Sequence, residues 1–235
     1  MKKKAIIISI NNHKLTIKEE KLFSVNKPWG LILFQRNIKT LAQIKKLIKK
    51  IKKATKDQNF PILIDEEGGT VSRLSKIIIN ELSQKFFGEI FESKPKISLE
   101  IYRTYINNVC FILSDIGINI NTVPVLDVIR KITSKIIGRR SFSYNPNVVK
   151  KLGYICVNQY HFNKIATVIK HIPGHGCASL DSHLKMPIVK LNFNSLNKID
   201  FLPFKSSPSK FAMTAHILYK KIDKENVATF SKKII

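Results

Sequence analysis

The chain has 235 residues, 44% of them apolar, and 41 Lys and Arg against 16 Asp and Glu, a formal net charge of +25. This length and apolar content suit one domain with a sizeable core, and no apolar run is long enough to span a bilayer, so no membrane partner is expected. The basic excess invites a nucleic-acid reading, but it is mostly Lys spread along the chain with no zinc-finger or homeodomain signature, so no specific nucleic acid is expected either.

In chain order, strand-like and helix-like segments alternate, which predicts a parallel α/β fold. Residues 5–10 read as a strand, 16–26 as a helix, 29–34 as a strand and 39–55 as a strongly amphipathic helix. The Lys-rich run at 45–53 interleaves apolar residues at helical spacing, which describes a solvated helix face. Residues 61–64 predict a third strand, 97–115 a helix, 118–127 a fourth strand, and 146–163 a helix with Pro146 in its first turn. Residues 165–171 predict a fifth strand, 195–205 a short helical region and 211–217 a sixth strand. Several of these strands end in polar groups: Asp65, Asp127, Lys170 with His171, and His216. If the strands are parallel, those groups converge on one face, as in a (β/α) barrel with its site at the strand ends. An open doubly wound sheet is the alternative, but the chain has no Gly-x-Gly-x-x-Gly phosphate loop.

The three cysteines, Cys110, Cys156 and Cys177, are odd in number and suit neither zinc nor a disulfide framework, which predicts a reducing compartment. The apolar run after Met1-Lys2-Lys3-Lys4 is too short for a signal peptide, so the expected location is cytoplasmic.

The most informative stretch is Lys170-His171-Ile172-Pro173-Gly174-His175-Gly176, followed by Asp181-Ser182-His183. A β-branched run ends here in a tight loop, bringing a cation, imidazoles and a carboxylate to the end of one strand. A His can give a proton to a leaving oxygen and take one back, and a nearby carboxylate can fix its tautomer. On residue type alone, Asp181 and His183 read as a solvated polar loop. A strand-end Lys170-His171 pair could be structural, and Arg73 and Arg140 surface or ion-pair residues. Asp127 and His216 read as structural or supporting groups, and His175 as a residue that fixes the loop. No histidine has the helical or Cys partners of a metal site.

This stretch resembles the signature of bacterial β-N-acetylhexosaminidases of glycoside hydrolase family 3. Other matching segments follow the family's order: Gly30-Leu31-Ile32-Leu33-Phe34 with Arg36-Asn37, Ile64-Asp65-Glu66-Glu67-Gly68-Gly69, Pro124-Val125-Leu126-Asp127-Val128, Gly138-Arg139-Arg140-Ser141-Phe142 and Met213-Thr214-Ala215-His216-Ile217. The resemblance implies a (β/α)8 TIM-barrel type of fold, here incomplete at about six of eight units. It implies one family 3 N-terminal-type domain over residues 1–235. It further implies removal of terminal β-linked N-acetylglucosamine from peptidoglycan fragments in cell-wall recycling, without a cofactor. By the same resemblance, His183 is expected to act as general acid/base with Asp181 as its partner, and Asp65, Arg73, Arg140, Lys170 and His171 to bind the sugar.

The family's retaining mechanism also needs a nucleophilic carboxylate. The resemblance places it in a Ser-Asp-Asp-Leu-like motif at the end of the next strand, beyond Ser231-Lys232-Lys233-Ile234-Ile235. Family catalysis by these residues alone is therefore expected to be lost or reduced by orders of magnitude, leaving a sugar-binding remnant or one piece of a split enzyme. An unclosed barrel is expected to be marginally stable as a monomer and to favour pairing with another chain that supplies the missing strands. Cys177 and Ala178 stand where the family usually has Asp and Thr, and Thr70 where Arg is common. The stretch from Pro203 to Met213 is short.

Overall fold

Six parallel strands build the frame of the computed structural model, which describes residues 3–180, 186–205 and 207–235. They are β1 (Lys4–Ile8), β2 (Pro28–Leu33), β3 (Ile62–Ile64), β4 (Ile120–Asn121), β5 (Ala166–Ile172) and β6 (Phe211–Thr214). Each pairs with its sequence neighbour, so the order across the sheet is the order along the chain. A parallel sheet wound in one direction with helical crossovers is the barrel topology, and the doubly wound alternative, whose strand order reverses, is excluded. Among the described residues the arc is open: β1 and β6 are its two edges.

The helices are α1 (Ile17–Asn26), α2 (Leu41–Thr55), α3 (Gln84–Ser93), α4 (Pro95–Ile116), α5 (Pro146–Phe162) and α6 (Phe193–Lys198). Their starts are chemically marked. Thr16 and Glu19 form a capping box on α1, the Thr40 hydroxyl caps α2, and Asn145 caps α5 ahead of Pro146. In α2, Ile44, Leu47, Ile48 and Ile51 are buried while most of its lysines stay in water, as the periodicity predicts.

Strand alternation separates two apolar layers. Leu31, Leu33, Ile62, Ile64 and Ile169 point outward into the main core with the helices. Leu63, Ile120 and Val168 point into the arc, joined by Trp29, Ile32, Phe211 and Met213. A smaller core gathers around Tyr219, where Ile188–Val189 pairs with Leu218–Tyr219.

Three segments differ from the expected elements. The fourth strand has only two residues in the ladder: the backbone leaves it after Asn121, and Pro124 has no N–H to give. It regains β5 through the Val125–Lys170 bridge. The helix expected at 97–115 is preceded by a separate helix, α3, capped by the Ser83 hydroxyl. The region expected as helix at 195–205 divides into α6 and a 3-10 turn at Leu202–Phe204. Among the described residues no helix is long and apolar enough to cross a membrane.

Candidate active site

The inner face of the arc carries polar residues directly above its apolar layer. Two residues beyond Leu63 on the same face comes Asp65; two beyond Ile120 comes Thr122; two beyond Val168 comes Lys170. The three meet at the carboxyl ends of their strands. Lys170 Nζ lies 2.9 Å from Asp65 Oδ1, 3.0 Å from Thr122 Oγ1 and 2.5 Å from Glu67 Oε1. The Thr122 hydroxyl also donates to Asp65. An ammonium has three donors, so the donors of Lys170 all have protein acceptors, and the residue is 1% exposed.

Glu67 connects this group to Arg140. The guanidinium meets the carboxylate in two hydrogen bonds, Nε to Oε2 and Nη2 to Oε1, each 2.9 Å. Arg73 stands on the other side of Asp65, its Nη2 3.6 Å from Oδ2, and is a third exposed. Among the described residues its Nε has no hydrogen-bond partner.

The strand-end loop that presents Asp65 and Glu67 is held from below. Asn121 Oδ1 accepts from Glu66 N–H at 3.0 Å while Asn121 Nδ2 donates to Glu66 O at 2.8 Å. The buried Glu66 carboxylate accepts from Leu74 N–H and Asn80 Nδ2. Gly68 then turns the chain at φ 85°, where an added Cβ would lie 2.2 Å from Leu82 O, so the turn requires glycine.

A second cluster centres on Asp127, which is fully buried. Its Oδ2 lies 2.7 Å from His171 Nδ1, and its Oδ1 accepts from His175 N–H at 2.6 Å and His171 N–H at 3.3 Å. A carboxylate facing Nδ1 assigns the proton to that nitrogen and turns Nε2 away from it. The Lys170–His171 peptide is cis.

The loop after β5 is anchored through Ala178. Tyr219 donates to Gly174 O at 2.6 Å, the Thr133 hydroxyl donates to Gly176 O at 2.5 Å, and Ser134 N–H donates to Ala178 O at 2.9 Å. His175 is buried here with its N–H on Asp127, consistent with a residue that fixes the loop. Cys177 and Ala178 are buried in the small core. Asp181 and His183 lie outside the described residues.

The electrostatics follow the geometry. Burial pushes the Asp65 carboxyl up, but Lys170, Thr122 and Arg73 outweigh it and hold the group down to about 2. Glu67 is likewise raised by burial and lowered further by Lys170 and Arg140. Asp127 is raised by burial and lowered further by His171 and His175. Burial lowers His175.

The structure thus brings Asp65, Arg73, Arg140 and Lys170 into one connected group and places His171 beside it in sequence, on Asp127. His216 sits apart, its Nδ1 2.7 Å from Thr229 Oγ1. Glu67 was not selected from the sequence, although it stands in the same motif as Asp65; two adjacent glutamates gave no basis for choosing between them. Thr122 carried no signal beyond its strand position. Among the described residues no three His, Cys, Asp or Glu are grouped to hold a metal ion.

A one-way parallel arc with a charged, hydrogen-bonding cluster at its carboxyl ends defines a barrel-type enzyme domain. The chain belongs to glycoside hydrolase family 3: the profile described as "Glycosyl hydrolase family 3 N terminal domain" matches residues 5–235. Its relatives include "Beta-hexosaminidase A" of Pseudoalteromonas piscicida, 36% identical over 209 residues that cover 84% of this chain and 34% of that protein. The "Beta-hexosaminidase" of Idiomarina loihiensis is 32% identical over 224 residues, covering 93% of this chain and 65% of that protein. Among solved structures, NagZ from Neisseria gonorrhoeae in complex with N-trifluoroacetyl-D-glucosamine superposes with a TM-score of 0.91 at 27% identity, covering 99% of this chain and 69% of that one. The chain therefore spans about one to two thirds of the length of the curated relatives cited.

Proposed function

We propose that this chain is the sugar-binding and acid/base part of a β-N-acetylglucosaminidase, one family 3 N-terminal-type domain acting on terminal β-linked N-acetylglucosamine of peptidoglycan fragments in the cytoplasm. The observation that carries the reading is the linked cluster of Asp65, Arg73, Glu67, Arg140 and Lys170 at the strand ends. An ionised carboxylate can accept from two sugar hydroxyls at once, and Arg73 has donors to offer. The Neisseria relative crystallised with an N-acylated glucosamine supports the choice of sugar.

In this reading Asp65 grips ring hydroxyls, and Arg73 and Arg140 add donors from either side. Lys170 gives up or shares one of its protein acceptors when a hydroxyl arrives. His171, oriented by Asp127, offers Nε2. His183 protonates the leaving oxygen and later removes a proton from water, with Asp181 orienting its ring. The retaining mechanism needs an attacking carboxylate in addition to the residues named here.

Release of a fluorescent leaving group from a β-N-acetylglucosaminide, measured beside a His183→Ala variant, tests catalysis. Binding of N-acetylglucosamine by NMR titration tests recognition. Binding that Asp65→Asn weakens at least about tenfold, the scale of a hydrogen bond to a charged group, supports the reading. Absence of binding in a folded sample overturns it. Binding without turnover identifies the sugar-binding alternative, in which this chain recognises but does not cleave.

A further inference from the structure

We propose that Glu67 is a positioning residue, which sets the sugar-contacting cations Lys170 and Arg140 by holding both on one buried carboxylate; the inference deepens the sugar-binding reading above and rests on it. The geometry is specific. Oε1 is shared between Lys170 Nζ at 2.5 Å and Arg140 Nη2 at 2.9 Å, and Oε2 takes Arg140 Nε at 2.9 Å. The Glu67 side chain is 1% exposed, and that of Lys170 is 2% exposed. Water therefore hardly screens the attraction between Lys170 and Glu67, and only partly screens that of the half-buried Arg140.

Glu67 cannot easily move to relax these contacts. Its neighbour Glu66 is clamped on both backbone groups by Asn121, and Gly68 on the other side is seated against Leu82 O. The carboxylate is thus a fixed point, and the cations are placed relative to it. For Arg140, the paired contact fixes the guanidinium plane and commits Nε and one Nη2 hydrogen, while Nη1 makes a longer hydrogen bond, 3.4 Å, to Ile136 O; the remaining Nη hydrogens are what the plane aims at a ligand. For Lys170, Glu67 supplies one of three acceptors, and the other two, Asp65 and Thr122, lie on the inner face. Removing the Glu67 charge leaves Lys170 buried and Arg140 half-buried, with Asp65 and Thr122 as the acceptors of Lys170. Lys170 is then drawn onto Asp65, and Arg140 loses its orientation.

The test uses the full chain and its Glu67→Gln variant, which keeps the shape and removes the charge. A Gln offers a single acceptor oxygen and turns an NH2 toward the cations. Two readouts are made. The first is solvent exchange of the Arg140 Nε–H followed by NMR without ligand; exchange at least tenfold faster in the variant is expected, and unchanged exchange overturns the proposal. The second is N-acetylglucosamine affinity measured well below each protein's unfolding temperature, with an expected loss of at least tenfold. A lowered melting temperature with unchanged affinity identifies a merely structural residue and overturns the positioning role. Glu67→Asp keeps the charge one methylene shorter and cannot span both cations; its affinity is expected between the two, and it decides the question if Glu67→Gln does not fold. If the parent chain binds no N-acetylglucosamine, the sugar-binding reading fails by itself, and the exchange measurement still decides whether Glu67 holds Arg140.

Discussion

Asp127 and His171, 44 positions apart in sequence, meet at 2.7 Å through Oδ2 and Nδ1, with the carboxylate wholly buried. The same carboxylate accepts from the backbone N–H of His175. One aspartate on the irregular segment after β4 thus sets both a ring at the end of β5 and the loop that follows it.

Asp127→Asn turns the partner of His171 from an acceptor into a group whose NH2 faces Nδ1. The imidazole proton is expected to move to Nε2, visible as an exchange of the two ring 15N shifts. Stability should fall by about 1–3 kcal/mol, the cost of disrupting a buried hydrogen-bonded group. A variant with the parent's tautomer and urea midpoint would show that Asp127 does not orient the ring.

Stability should fall as pH is lowered, in two stages. Burial depresses His175, so the unfolded state takes up its proton first; the His175 contribution is complete above about pH 6.5 and erodes below it. Asp65 is depressed to about 2 from an ordinary value of 3.8, so its contribution, about 2 kcal/mol, is complete above about pH 4 and is lost between there and about 2. Glu67 and Asp127 act in the same direction, whereas Glu66 and Asp200, raised by burial, oppose it. Urea midpoints at pH 7.5, 5.5 and 3.5 should decrease in that order, and a flat series would contradict the assignment.

Gly176→Ala places a Cβ 1.8 Å from Val128 O, a backbone atom that cannot move aside without shifting the loop that carries His175. A loss of about 3 kcal/mol is expected. Gly153→Ala, inside α5, meets the flexible end of Leu126 at 2.3 Å and gains helix propensity, so it should cost about 1 kcal/mol or less. Chemical denaturation ranks the two; equal effects would contradict the packing.

Strand β1 pairs with β2 on one side and, among the described residues, with no strand on the other. Its Ile6 and Ile7 are 50% and 44% exposed. An apolar open edge of this kind recruits other strands, so the 235-residue chain is expected to self-associate in a sedimentation-velocity dilution series. The double substitution Ile6→Lys with Ile7→Lys should suppress that association. A parent chain that stays monomeric throughout the series would overturn the prediction.

The alternation of strands and helices was legible in the sequence because it is local: β-branched runs, amphipathic spacing at 39–55 and a first-turn proline such as Pro146 act over a few residues. The polar groups at strand ends could also be read, since a strand fixes which way its last side chains point. Which groups touch was a different matter. Glu66 and Glu67 are chemically alike, and the Asn121 clamp and the Gly68 turn send one to Leu74 and Asn80 and the other to Lys170 and Arg140. The Asp127–His171 contact and the all-protein surroundings of Lys170 join segments far apart in sequence. These pairings depend on the curvature of the parallel arc and the stagger of its strands, properties of the assembled sheet that no single segment carries.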